Sequence, residues 1–185
     1  MSDLFKADIG RLRRYGARES TLRPLLIRQG LWAAACYRVG YHLGKRLLPP
    51  IVHQLVMIPH HLWWKSVEMT TGISISPDCT IGPGLHLGHF GGLIVHPDVR
   101  IGEDCNLSQG VTLGPGASKG VGGGATLRNW VYVASGANVL GPIQLADGTV
   151  VGASAVVAHS TEVNPIVAGV PARAISDKGS REYIR

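Results

Sequence analysis

Proton chemistry near neutral pH falls to histidine, and the eight histidines of this 185-residue chain differ in their surroundings. His60 and His61 are adjacent, with no third ligand at a spacing that suits zinc, so no metal site is assigned. His86 and His96 fall at corner or outward positions of the repeat described below and read as solvated. His89 stands directly before a two-residue break in that repeat, a place that pushes its imidazole off the surface formed by its neighbours. The three cysteines, Cys36, Cys79 and Cys105, make no disulfide framework. They read as small buried apolar residues in a reducing compartment.

What must position His89 is a repeat of period six. Aliphatic residues return at Ile75, Ile81, Leu87, then Val95, Ile101, Leu107 and Leu113, then Leu127, Val133, Val139, Leu145, Val151 and Val157. Four residues after most of these comes a smaller inward residue: Cys79, Leu85, Gly91, Val99, Cys105, Val111, Val131, Ala137, Ile143, Thr149 and Ala155. Six fits neither a helix nor one long strand; it fits a solenoid coil with three flat sides. Two insertions break the count, one around Phe90-Gly91-Gly92 and one at Pro115 to Gly124. Insertions in such arrays map to loops, frequently on the binding face.

The net charge of +6 is uneven. Residues 1–70 carry 11 Lys/Arg against 4 Asp/Glu (+7), and residues 71–185 carry 7 against 8 (−1). A basic patch confined to the N-terminal segment argues against nucleic acid as a partner of the solenoid. It leaves open an anionic membrane surface or a solvated helix face. Residues 3–19 read as a basic helix or partly ordered arm. A helix or broken pair follows from about Leu22 to the Pro49-Pro50 stop, and a second from Ile51 to Met69, bent or broken at Pro59. Their aromatic and leucine residues are expected to cap the first coil, which would otherwise expose its core. The alternative is interfacial membrane contact through residues 1–70. The stretch Ile51 to Trp64 is too short and polar to span a bilayer, and no secretory signal is visible. The expected location is cytoplasmic, with membrane association left open. The tail from Asp177 to Arg185 is expected to fray. The domains are therefore residues 1–70 (α-helical), 71–175 (solenoid) and 176–185 (tail).

Several stretches resemble the hexapeptide-repeat acyltransferases, in their serine acetyltransferase-like branch. They are Thr71-Gly-Ile-Ser-Ile-Ser-Pro77, Ile81-Gly-Pro-Gly84, His89-Phe-Gly-Gly-Leu-Ile-Val95, Ser108-Gln-Gly-Val-Thr-Leu-Gly114, Ser135-Gly-Ala-Asn-Val-Leu-Gly141, Gly152-Ala-Ser154 and Ala168-Gly-Val-Pro-Ala-Arg173. The resemblance implies a mainly β fold, a left-handed parallel β-helix preceded by a short α-helical region. It also implies a homotrimer with active sites between neighbouring prisms, and acetyl-CoA as cosubstrate. His89 matches the catalytic base. Gly114, Ser135, Ala153 and Arg173 match acetyl-CoA-binding positions, where small residues leave room for the pantetheine arm. Acyl transfer to a hydroxyl requires a base, donors for an oxyanion and a groove holding both substrates, but no metal.

On the acceptor side the chain departs from the family. Serine-specific members carry aspartates where this chain has Ser74 and Gly88, and an Asp-Arg-His-Pro run where it has Gly122-Gly-Gly-Ala125. What orients His89 is then open among Ser76, a backbone carbonyl and Asp98. The groups that grip a zwitterion are depleted, which points to a different acceptor. The form His-Phe-Gly-Gly with Ser-Gln-Gly-Val-Thr resembles a branch associated with surface-polysaccharide synthesis. The leading expectation is thus acetyl transfer to a sugar hydroxyl in exopolysaccharide or capsule synthesis. The alternatives are serine O-acetylation for cysteine biosynthesis and a silent trimeric scaffold.

Overall fold

The computed structural model describes residues 2–14, 27–116 and 123–184. Among the described residues three helices come first: α1 (Ser2–Arg14), α2 (Gln29–Gly44) and α3 (Pro50–Thr71). Fifteen short strands follow, and they sort onto three faces. Face A holds β1 (Ile73–Ile75), β4 (Leu93–Val95), β7 (Thr112–Gly114), β10 (Asn138–Leu140) and β13 (Val156–Val157). Face B holds β2 (Thr80–Ile81), β5 (Arg100–Ile101), β8 (Thr126–Leu127) and β11 (Gln144–Leu145). Face C holds β3 (His86–Leu87), β6 (Asn106–Leu107), β9 (Tyr132–Val133), β12 (Val150–Val151), β14 (Ile166–Gly169) and β15 (Ala172–Ser176). Every pairing is parallel except the final β14–β15 hairpin.

The six-residue period is the reason for the three faces. Ile75, Val95, Leu113, Val139 and Val157 stack in one inward column on face A. Ile81, Ile101, Leu127 and Leu145 stack on face B, and Leu87, Leu107, Val133 and Val151 on face C. All are buried, as are most of the smaller residues four positions on. Two of those depart from expectation: Ile143 is only partly buried against the core, and Gly91 lies in a turn while Leu93 takes the inward place. The cysteines are buried, and burial pushes Cys36 up to about 11 and Cys79 and Cys105 up to about 12, which keeps them as inert thiols.

The helices close the first coil, as a solenoid end requires. Ala33, Cys36 and Tyr37 of α2 and Val67 of α3 join the solenoid core. Tyr37 donates its hydroxyl to Cys79 O at 2.9 Å and accepts from the Ile81 amide at 3.0 Å. Gly40 lets α3 approach, since a Cβ there would lie 2.4 Å from the His60 ring. Helix α3 runs through Pro59 without the break that was one of the two expectations there, and ends at Gly72 in the left-handed conformation. The amide that Pro59 lacks would have bonded on the helix's exposed side.

The basic N-terminal segment is not simply a solvated face. Arg11 and Arg38 are 0% and 1% exposed. Arg38 forks onto both carboxylate oxygens of Asp8 (3.0 and 3.1 Å) and donates to Ile81 O and Gly82 O, each at 2.6 Å. Asp8 also accepts from the Leu85 amide at 2.8 Å. Arg11 pairs with Asp104 at 2.7 Å and donates to Gly84 O and Asn106 Oδ1. These bonds sew α1 and α2 to coils one and two. Burial pushes the Asp8 carboxyl up, against the pull of Arg38.

The expected fraying of the tail does not occur within the described residues. Strand β15 folds back on β14, Ser180 is buried, and Tyr183 packs on Tyr132 with ring centroids 5.3 Å apart. His86, expected to be solvated, lies half-buried beside Asp8, Leu12 and Leu31 under α1 and α2. Burial, then the charges of Arg11 and Arg28, lower it to about 4.

Two outcomes follow from this end of the molecule. Removing one partner of a buried ion pair leaves the other uncompensated, so Arg38→Ala lowers unfolding free energy by about 3–5 kcal/mol in denaturant titration. The paired change Asp8→Leu with Arg38→Met costs less than Arg38→Ala alone. His86 must give up favourable neutral packing to charge, so its contribution is present above about pH 6.5 and is lost as pH falls through about 4. The His86→Gln variant therefore shows a flatter fall in melting temperature over that window than the wild type.

Candidate active site

The two-residue insertion predicted to expose His89 does so. Strand β3 ends at Leu87, and the chain must then turn from face C to face A. In later coils two turn residues suffice: Gln109-Gly110, Ser135-Gly136 and Ala153-Ser154. These stack into one ridge through Gly110 N–H to Gly91 O (2.9 Å), Gly136 N–H to Gln109 O (3.0 Å) and Ser154 N–H to Ser135 O (2.9 Å). Gly92, Gly110, Gly136 and Ser154 all have positive φ, and a Cβ on Gly110 would stand 3.3 Å from Gly136 Cα. In the first coil the longer turn Gly88-His89-Phe90-Gly91-Gly92 overhangs this ridge, with His89 and Phe90 exposed. Its far end is tied to α3 by Gly91 N–H to Thr71 O at 2.8 Å.

The ridge therefore brings together His89, Ser135 and Ala153. Among the described residues, no hydrogen bond between coils uses the Ser135 or Ala153 amide. Gly114 lies elsewhere: it ends β7 at the opposite edge of face A, accepts from the Gly141 amide at 3.0 Å, and has open space where a Cβ would be. Arg173 is exposed on β15 at the C-terminal end of face C, donating to Ala172 O. One chain alone thus holds these groups on separate edges.

On the acceptor side, Ser74 is the half-buried outward residue of β1. Its hydroxyl faces the Glu68 carboxylate in the last turn of α3 closely enough to help lower that group's pKa. Lys65, donating at 2.6 Å, and then Ser74 hold that carboxyl below the usual range. Glu68 was missed in the sequence, where it reads as an ordinary helix charge. The clue available was that it stands six residues before the position that has lost its aspartate. Gly88 has room: the only atom near an added Cβ is His86 Cε1 at 3.8 Å.

Neither side-chain candidate for orienting His89 reaches it. Ser76 caps the A-to-B corner, its Oγ accepting from the Asp78 amide at 3.3 Å. Asp98 lies at the same corner one coil on, 3.6 Å from the His96 ring. Both serve the edge of face A away from His89. Among the described residues no hydrogen bond fixes the His89 ring, so the backbone-carbonyl option has no bond behind it either. Residues 117–122 of the long loop lie outside the described residues.

No family model matches the chain. Curated relatives and solved structures do. A serine acetyltransferase of Helicobacter pylori is 35% identical over 152 residues, covering 82% of this chain and 84% of the relative. One from Synechococcus elongatus is 33% identical over 165 residues, 89% of this chain, and the chain spans 64% of that relative's length. The crystal structure of serine acetyltransferase in complex with coenzyme A from Brucella abortus superposes with a TM-score of 0.82 at 30% identity, over 97% of this chain and 69% of that one. The solenoid is accordingly a left-handed parallel β-helix, a hand that a period of six does not reveal. The expected tie to surface-polysaccharide synthesis is not supported by these relatives, which are named for serine. At 35% identity over 82% of this chain and 84% of that relative, the chain belongs to the serine acetyltransferase family.

Proposed function

We propose that this protein is an acetyl-CoA-dependent O-acetyltransferase with L-serine as its first-choice acceptor. The observation that carries the reading is the exposed His89 at the one lengthened corner of a ridge otherwise made of two-residue turns, each but the last ending in glycine. The relatives supply the reaction class and favour serine over a sugar. Residues 71–175 are taken as the catalytic unit, 1–70 as its cap and 176–185 as its tail.

In this reading the imidazole of His89 takes the proton of the acceptor hydroxyl as its oxygen attacks the thioester carbonyl. Backbone N–H groups at the ridge stabilise the oxyanion. Collapse of the tetrahedral species breaks the carbon–sulfur bond, and the imidazolium returns its proton to the departing sulfur. The products are an acetyl ester and free coenzyme A. The pantetheine arm lies along the ridge past Ser135 and Ala153, where larger side chains would block it. Gly114 and Arg173 contribute from other edges, which calls for a neighbouring prism and hence a homotrimer. A silent scaffold has no need of an exposed histidine over a clear ridge.

A sugar hydroxyl is the second reading, favoured by one observation. Neither Ser74 nor Gly88 carries a charge for an ammonium group, and the nearby Glu68 carboxylate is already paired with Lys65. The separating experiment incubates the full chain with acetyl-CoA and either L-serine or a panel of sugars, reading thiol release. Serine turnover supports the first reading; sugar turnover without serine moves the assignment to the second. In the second case Gly88→Asp raises kcat/KM for serine by about tenfold or more, because it restores a counter-charge in open space. With either acceptor His89→Ala lowers kcat by about 10²- to 10⁴-fold. Unchanged turnover in that variant removes His89 from the mechanism.

A further inference from the structure

Helix α3 is apolar on two opposite sides. His60, Val67 and Thr71 are buried toward α2 and the first coil. On the other side Ile51, Leu55, Ile58, Leu62 and Met69 are 74%, 66%, 58%, 69% and 84% exposed. At about 100° per residue these five fall within about 40° of one line down the helix. Together they present roughly 700 Å² of apolar surface, more than the largest patch on an ordinary monomer. Leu47, just before the helix, extends the stripe, and Trp63 flanks it. A helix with two apolar faces requires a second covering.

Charge decides between coverings. From residue 20 to residue 67 the chain holds no Asp or Glu. Lys45 and Arg46 adjoin Leu47, and Lys65 lies on the flank of the stripe, partnered by Glu68. Two copies laid stripe to stripe would bring like charges together, with only Glu68, already paired with Lys65, along the stripe to answer Lys45 and Arg46. An anionic lipid surface supplies the missing counter-charge and accepts the leucine and isoleucine side chains. Among the described residues no helix is long and apolar enough to cross a membrane. We propose that α3 lies in the headgroup layer of an anionic bilayer, with Ile51, Leu55, Ile58, Leu62 and Met69 buried in it and Lys45 and Arg46 on the lipid phosphates.

The test uses the full chain and vesicles of phosphatidylcholine, with and without phosphatidylglycerol. The wild type sediments with the anionic vesicles and about tenfold less with the neutral ones. Ile58→Asp with Leu62→Asp loses binding to both by about tenfold or more, and these side chains are exposed, so circular dichroism stays that of the wild type. Lys45→Glu with Arg46→Glu leaves the stripe whole and loses only the preference for anionic lipid. The proposal is overturned if the wild type stays in the supernatant with both vesicles, or if the Asp variant binds as well as the wild type. It is equally overturned if light scattering without lipid shows a wild-type assembly that the Asp variant splits. The stripe would then belong to a second copy. None of these readouts depends on catalysis.

Discussion

A three-sided coil has room inside for only one or two side chains from each strand, and that limit governs the rest of the molecule. The parallel ladders hold each inward residue over its counterpart one coil away, so Val95 rests on Ile75 and Val139 on Leu113. Burial of these columns is the main favourable term in the solenoid. The same stacking brings corner over corner. A corner that must turn in two residues, directly above another, admits almost no side chain: a Cβ on Gly92 would meet Gly110 Cα at 3.3 Å, and one on Gly110 would meet Gly136 Cα at the same distance. The outcome is a ridge of bare main chain running the length of the prism. A thin, flexible ligand arm can follow such a ridge, and a lengthened corner at its end is the natural place for a reactive side chain.

The part of this that local pattern expresses was open to reading. A six-residue period survives in the sequence because every inward column repeats the same packing demand, and all thirteen aliphatic positions from Ile75 to Val157 are buried. His89 was legible for the same reason, as a break in a count. What local pattern cannot express is who meets whom across the chain. Arg11 reaches Asn106 across 95 residues, and Arg38 reaches Asp8 and Gly82. In sequence all of these look like a basic arm. Pairing removes their charge from the surface, and only the fold supplies the partners. The tail was misread likewise: Ser180 and Tyr183 belong to no repeat, yet the β14–β15 hairpin turns them back onto the prism.

The acceptor side shows a subtler limit. Position by position, Ser74 and Gly88 read as losses of charge. In the structure the Glu68 carboxylate lies near the Ser74 hydroxyl, so a carboxylate remains beside β1, carried by α3 and not by the strand itself. That displacement matters for recognition. A carboxylate paired with Lys65 is partly spent on its neighbour, and its pull on an incoming ammonium is weaker than that of a free aspartate. Whether the pocket grips a zwitterion depends on how much of that charge is left over.

The helical cap reaches the chemistry through His86. This imidazole stands three residues before His89, under α1 and α2, and burial together with Arg11 and Arg28 keeps it uncharged until about pH 4. In the proposed reaction His89 becomes an imidazolium each time a hydroxyl is deprotonated. A second cation beside it would raise the energy of that state, and a neutral His86 does not. Arg11 is itself a cation, but Asp104 at 2.7 Å answers its charge. The buried pairs that fasten the helices to the first coil therefore do two things at once. They close an open core, and they keep a second imidazolium away from the turn that carries His89.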